Sequence, residues 1–305
     1  MCPVRTDGQY VRIEPRLSGE YFANDRLTFQ AAYGRYNQFL TLISNEAFSG
    51  FDLWLTSDHG LLPQYGDQFI LGTKTIPFKN YGFDVELYYR TMRDIFELDP
   101  FLPDAGGLDY PDLFRVGEGY AYGAEFMFEK RVGRLNGYIG YTYGQTWRKF
   151  EGYNTELLSE DGKARFYPPK YDRSNDVKLI LNYNLSRKWK LTGAWVYATG
   201  QAYTSPTGRY ARQDDPFSSD GPDDALVVEE INSARLPAYH RMDVSFSRAG
   251  KFFKMGTSEL QIQIINVYNR KNVWFTQFDF GENPVNQEDV TLLPTIPAIS
   301  YTVKF

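Results

Sequence analysis

The stretch "GYAYGAEFMFEKRVGRLNGYIGYTYGQT", Gly119 to Thr146, reads as two strands joined by a tight turn. Tyr120, Tyr122, Ala124, Phe126 and Phe128 fall on one face of the first strand, and Leu135, Gly137, Ile139, Tyr141 and Tyr143 on one face of the second. Between them lies "RVGR", Arg131 to Arg134. A spacing of two is that of a β-strand, whose successive side chains point to opposite faces. The opposite face of the first strand carries Glu125 and Glu129. Such alternation suits a half-buried soluble sheet, and equally a membrane strand whose polar side lines a lumen.

The same rhythm runs through the chain. It recurs in Leu17–Tyr21, Leu27–Tyr33, Phe69–Thr73, Phe83–Tyr89, Val177–Tyr183, Leu191–Tyr197, Met242–Phe246 and Leu260–Ile264. The last is "ISYTVKF", with Ile299, Tyr301, Val303 and Phe305 on one face. About eleven strands result, each long enough for the roughly 9–11 residues that cross a bilayer at a tilt. At 23% charged residues, about forty positions taken blindly would hold about nine charges, yet the apolar sets hold none; a Lys or Arg at mid-bilayer costs about 2–4 kcal/mol. The opposite faces do carry charge, in Asp84, Glu86, Arg90, Lys178, Arg241 and Asp243.

The connections discriminate between the two readings. "ANDR" (Ala23 to Arg26), "FKNY" (Phe78 to Tyr81), "RVGR" and "SRK" (Ser186 to Lys188) are tight turns, and they alternate with long stretches near 39–65, 98–116, 149–170, 204–236 and 271–292. A soluble sandwich has no reason to gather its long loops at one end, whereas outer-membrane barrels have short periplasmic turns and long extracellular loops. Tyr33, Tyr89, Tyr120, Tyr141 and Tyr197 then fall near the long-loop ends, and Tyr21, Phe128, Tyr183 and Phe246 near the short-turn ends, as interfacial girdles do. Proline is tolerated at a strand's first residue, so the first strand should begin near Pro15, after an irregular or disordered stub over residues 1–14.

Composition agrees. Mean hydropathy is −0.47, but 24 Tyr, 23 Phe and 5 Trp bring the aromatic share to 17%. A chain both polar and aromatic fits a wall in which every second strand residue meets lipid. The net charge of −5 points away from a nucleic-acid partner. The one cysteine, Cys2, excludes an intrachain disulfide and a cysteine metal cluster.

With short turns at the periplasm, first and last strands both run downward, an odd count. Bacterial single-chain barrels close with even counts, so the sequence predicts an incomplete barrel that lacks an N-terminal part. "PRLSGEY" with "LTFQAAYGRYNQF", "YGFDVELYYRTMRDIFE", the opening stretch, "RLPAYHRMDVSFSR", "LQIQIINVYNRKNVW" and "LLPTIPAISYTVKF" together resemble the barrel of TonB-dependent receptors, in the character of those of Bacteroidetes. The resemblance runs from about Pro15 to Phe305. It implies that residues 15–305 are strands 12–22 of a 22-stranded barrel, in the outer membrane of a Gram-negative cell, with the TonB box, plug and first strands absent. The implied function is uptake of a bulky nutrient, such as a siderophore, cobalamin, an oligosaccharide or a peptide. TonB would act through the missing plug. Implied partners are outer-membrane lipid and the barrel assembly machinery, which in this family reads a final aromatic strand matched here by Tyr301, Val303 and Phe305. A passive channel and a surface adhesin are the alternatives.

Little catalytic chemistry is legible, and no cofactor is expected. His59 and His240 lack metal-type spacing. His240 with Asp243 would need a serine in a nucleophile elbow, and none is present. "GEGYAYG", Gly117 to Gly123, precedes a strand rather than a helix, so small residues beside tyrosines explain it better than a phosphate loop. Asp214, Asp215, Asp220, Asp223, Asp224, Glu229 and Glu230 crowd one loop without a known calcium spacing. Phe48, Phe51, Trp54, Phe101, Tyr110, Phe217 and Trp274 lie in the long loops, placed either to stack on a ligand or to pack loop on loop. Glu86, Arg90, Glu125 and Arg241 should face a plug and water inside the lumen.

Overall fold

Eleven strands hydrogen-bond side by side, in chain order, into one antiparallel sheet. They are β1 (Arg16–Asn24), β2 (Leu27–Gln38), β3 (Gln64–Thr75), β4 (Tyr81–Leu98), β5 (Phe114–Lys130), β6 (Leu135–Phe150), β7 (Asn175–Asn184), β8 (Trp189–Ala198), β9 (Tyr239–Phe252), β10 (Gly256–Ile265) and β11 (Ile296–Lys304). The structure is a computed structural model that describes residues 4–6, 9–43, 53–57, 61–98, 113–151, 165–211, 224–228, 230–253, 256–279 and 286–305. β1 begins one residue after Pro15, whose carbonyl accepts from the Arg35 amide at 3.0 Å. Ahead of it, Val4–Thr6 pairs with Gln9–Val11 in a small hairpin of its own.

The register makes the two faces continuous. Phe83, Phe128, Ile139, Leu179, Trp195 and Met242 stand opposite one another in turn across β4 to β9. Phe128, Ile139 and Met242 of this row are exposed and the other three half-buried, and Leu17, Leu71, Leu87, Phe126, Leu181, Ile262 and Ile299 on the same face are exposed as well. Three residues along, a row on the reverse face reads Glu86, Glu125, Thr142 and Asp176. A water-soluble sheet would cover an apolar face of this extent. Here it lies open, as a face solvated by lipid must. Rings reinforce it: Phe126 stacks on Tyr141 at 6.0 Å, Trp189 on Phe246 at 4.6 Å, and Tyr33 meets Phe69 at 5.1 Å, cross-strand pairs of the kind that stabilise sheets.

Short and long connections alternate throughout, with a fifth short one at residues 253–255. The short connections therefore share one end of the wall and the long ones the other. All eleven strands are long enough to cross, and three exceed that length by far. β4, β5 and β6 run to 18, 17 and 16 residues, beyond the roughly 9–11 needed to cross, and the surplus lies at the long-connection end. A bulge between Met92 and Ile95, with Asp94 at φ 54°, redirects β4 there. Past it, Phe96 packs with Leu61 and Phe114, while Ile95 packs with Phe150 and Tyr167. Among the described residues, the buried apolar side chains gather at this end. The long connections also form hairpins, pairing Leu40–Ile43 with Leu53–Thr56, Ala202–Tyr203 with Ala234–Arg235, Pro206–Ala211 with Asp224–Val228, and Val273–Asp279 with Asn286–Thr291.

Candidate ligand-binding face

The inward face of the wall is polar and internally bonded. Gln30 donates through Nε2 to Glu86 Oε1 at 2.5 Å. Around Glu86 lies a recess of about 290 Å³, lined by Gln68, Ile70, Tyr88, Arg90, Ala121, Glu125 and Thr146. Gly123 and Gly144 face each other across β5 and β6, and a Cβ on either would stand 2.6 Å from the Tyr88 hydroxyl. Two absent side chains thus let Tyr88 lie against the wall, which accounts for the last glycine of "GEGYAYG". Arg241 is held by Asp243 at 2.9 Å.

Above the recess, charged groups tie the bases of the long connections to the strand tops. Arg148 on β6 reaches Glu97 on β4 at 2.5 Å and the Tyr171 hydroxyl at 2.8 Å. Tyr167 donates its hydroxyl to the second oxygen of Glu97 at 3.0 Å. Asp172 accepts from the Thr146 amide at 3.0 Å and from Arg235 at 2.7 Å. Asn232, almost wholly buried, donates to the Pro168 carbonyl at 3.0 Å. The connections after β6 and after β8 are thereby joined to each other and to the wall. Charge-assisted bonds between partly dried groups hold such a framework better than exposed ion pairs do.

The connection after β10 is anchored by asparagines. Asn266, 1% exposed, adopts φ 56°, a left-handed conformation that asparagine tolerates better than most residues. Its amide donates to Asp243 at 2.9 Å, its Nδ2 donates to the Arg270 carbonyl at 3.0 Å, and its Oδ1 accepts from the Arg270 amide at 2.9 Å. Asn272 clamps His240 through two backbone bonds, at 3.0 and 2.9 Å. Replacing Asn266 with Ala removes all three side-chain bonds, the third being from Nδ2 to the Leu293 carbonyl at 3.3 Å, and leaves a strained backbone; we expect a local loss of about 2–3 kcal/mol. Limited proteolysis should then cut within 266–295 while the strands stay protected, and an unchanged digestion pattern would contradict the anchor.

Apolar outside, polar inside, with short turns at one end and braced loops at the other, this wall invites comparison with known barrels. The family described as "TonB dependent receptor-like, beta-barrel" matches residues 4–269. The chain belongs to that family. Its wall is accordingly an outer-membrane wall. No curated protein sequence matches the chain. Among solved structures, it resembles the outer membrane transporter YddB from Escherichia coli, with 14% identity and a TM-score of 0.62 over 97% of this chain and 41% of that one. It also resembles the ferripyoverdine receptor of Pseudomonas aeruginosa, with 12% identity and a TM-score of 0.52 over 98% and 33%. A third likeness is to the FrpB iron transporter from Neisseria meningitidis, with 11% identity and a TM-score of 0.51 over 95% and 38%. At such identity the likeness is one of fold. The chain spans less than half the length of each of these three.

In this receptor barrel the loop aromatics are dispersed. Trp54 stands opposite Leu42 in its hairpin and is 60% exposed. Trp274 is 51% exposed, its ring 5.1 Å from that of Phe275. Among the described residues no ring contact joins the two. Tyr203 and Phe278 do meet across two hairpins, at 6.5 Å, one instance of loop packing on loop. Phe48, Phe51, His59, Phe101, Tyr110 and Phe217 lie outside the described residues, as do Cys2, Asp214, Asp215, Asp220, Asp223 and Glu229. Among the described residues no group of three potential metal ligands converges. His240 meets Tyr268 at 2.9 Å, while Asp243 is occupied by Arg241 and the Asn266 amide. At the far edge, Tyr301 faces outward opposite Leu260, and Phe305 packs edge-on against Phe252 at 5.9 Å.

Sequence reasoning did not single out Glu97, Arg148, Tyr167, Asp172, Arg235, Asn266 and Asn272 as a framework. "NVYNRKN" held a usable signal, since three asparagines in seven residues mark a backbone that leaves the strand geometry.

Proposed function

We propose that residues 15–305 act as one unit, part of the wall of a longer barrel that imports a bulky nutrient with energy delivered by TonB through a plug. The carrying observation is the pairing of a polar, internally bonded lumen face with braced long connections at one end of a lipid-facing wall. β1 and β11 each have one unpaired side among the described residues, and unsatisfied backbone groups in lipid cost several kcal/mol each. Further strands alongside them relieve that cost, and the barrel assembly machinery would engage Tyr301, Val303 and Phe305 to bring them together. Family membership supports a ligand and TonB as partners. The receptor and transporter likenesses make an iron chelate a first candidate cargo, with cobalamin, oligosaccharide and peptide as others. Capture falls to the long connections and their aromatics, Trp54, Tyr110, Phe217, Trp274 and Phe48 among them.

The test is uptake by the protein's own cell. Deleting residues 205–234 should reduce uptake by at least tenfold, leave the barrel folded in the membrane, and match the phenotype of a cell without TonB. Uptake that persists without TonB would favour a passive channel. Unaltered uptake after the deletion would remove that connection from ligand capture.

A further inference from the structure

The short-connection end carries an excess of cations, and several are placed alike. Lys130 Nζ stands 5.6 Å from the ring centre of Tyr81, the Arg134 guanidinium 5.8 Å from that of Tyr183, and the Arg248 guanidinium 5.3 Å from that of Trp189. Leu135 faces Tyr183 across β6 and β7, and Phe246 stacks on Trp189, so these rings belong to the apolar outward face. Each cation–ring pair also bridges two successive short-turn hairpins. Such contacts hold a cation beside an apolar surface at modest cost. The cations are thus fixed at the boundary where the outward face ends.

One gap in this rim has the shape of a site. Between the turn ending at Arg134 and the turn at 185–188 lies a cavity of about 530 Å³, lined by Arg134, Asn184, Leu185, Ser186 and Arg187. Arg134 donates to the Leu185 carbonyl at 3.4 Å, and among the described residues neither Arg134 nor Arg187 has an acidic partner. The acid near the end of β5, Glu129, is already taken by Arg131. Ser186 Oγ accepts two backbone bonds, from Lys188 and Trp189 at 3.2 Å each, leaving its hydroxyl proton to donate. Above the cavity the outward face continues through Leu135, Leu181 and Leu191, all exposed.

We infer that this rim holds an anionic glycerophospholipid of the inner leaflet, its phosphate between Arg134 and Arg187 and its acyl chains along Leu135, Leu181 and Leu191. Guanidinium groups suit phosphate because they offer paired, planar donors. Charge complementarity selects the lipid. Two unneutralised guanidiniums, with Lys188 beside them, favour a headgroup with net negative charge over a zwitterionic one. The apolar strip above favours a lipid over free phosphate. The inference rests on the outward face being lipid-facing.

The protein, purified in detergent from its own membranes, is mixed with phosphatidylglycerol, phosphatidylethanolamine or inorganic phosphate, and bound adducts are counted by native mass spectrometry. Phosphatidylglycerol should be retained roughly tenfold better than phosphatidylethanolamine, and Arg134→Gln with Arg187→Gln should bring it down to the same level. Arg187→Gln alone, in an exposed turn, should cause part of that loss and serves if the double variant assembles poorly. Equal retention of the two lipids, or retention unchanged by either variant, would overturn the inference. Displacement of phosphatidylglycerol by inorganic phosphate at equal concentration would overturn the lipid assignment in favour of a simple anion site. A protein that stays soluble without detergent would instead break the lipid-facing reading, a failure visible at purification.

Discussion

Leu179→Arg is expected to abolish assembly of the barrel in its membrane. Leu179 lies at the middle of β7, with Ile139 on one side and Trp195 on the other, so its side chain enters hydrocarbon far from either girdle. An arginine there costs about 2–4 kcal/mol at the bilayer midplane. That is a large share of a net folding stability of about 5–15 kcal/mol, and it acts in the membrane-bound state. Ile180→Arg is the matched control. One residue along the strand, its side chain points to the polar face, where water and the inward charges accept a guanidinium. The heat-modifiable, membrane-inserted fraction should fall at least tenfold for Leu179→Arg and stay near the parent level for Ile180→Arg. The reverse order would mean that the two faces have been exchanged.

Glu97→Ala should open the framework beneath the long connections without unfolding the wall. The Arg148 and Glu97 side chains are 19% and 29% exposed, and Tyr167 and Tyr171 complete the group. Arg148 Nε already has no partner among the described residues, so loss of Glu97 leaves a largely dried guanidinium with the Tyr171 hydroxyl. Breaking a buried pair costs about 3–5 kcal/mol; with part of this one reached by water, about 2–3 kcal/mol is expected. Arg148 and Tyr167 exchange backbone bonds at 2.9 and 2.8 Å, and their amides report the opening. Their hydrogen exchange should speed up by roughly 30- to 150-fold, the same 2–3 kcal/mol read as a rate ratio. Amides at the centre of β6 should be unaffected. Glu97→Gln, which keeps an acceptor, should lie between. Unchanged exchange at Tyr167 would show that the framework does not depend on this pair.

Much of the wall was legible because its physics is local. A strand between lipid and a wet lumen must alternate, so Phe126, Phe128, Ile139 and Tyr141 could be assigned a face from spacing alone, and Pro15 marked where β1 begins. The alternation of short and long connections then separated a barrel from a soluble sheet. The end above the membrane was not legible for equally physical reasons. The bulge at Met92–Ile95 changes the face on which the following residues lie, so no period of two leads to Ile95 and Phe96 as buried side chains. Glu97 and Arg148 are 51 residues apart, and Asp172 and Arg235 are 63 apart; only the register of the intervening strands brings them together. The aromatic loop residues show the opposite case. Trp54 and Trp274 were visible as candidates, yet composition carried no information on whether they meet, and they stand on separate hairpins.

The most direct test of the account is a spin-label scan of β7, one cysteine at a time from Val177 to Tyr183, in the protein assembled in its membrane. Labels at 177, 179, 181 and 183 should be more accessible to oxygen, and those at 178, 180 and 182 to a water-soluble nickel relaxant, with the two profiles out of phase along the strand. Profiles in phase, or labels at 179 and 181 that collide with the nickel reagent as often as those at 178 and 180, would contradict it.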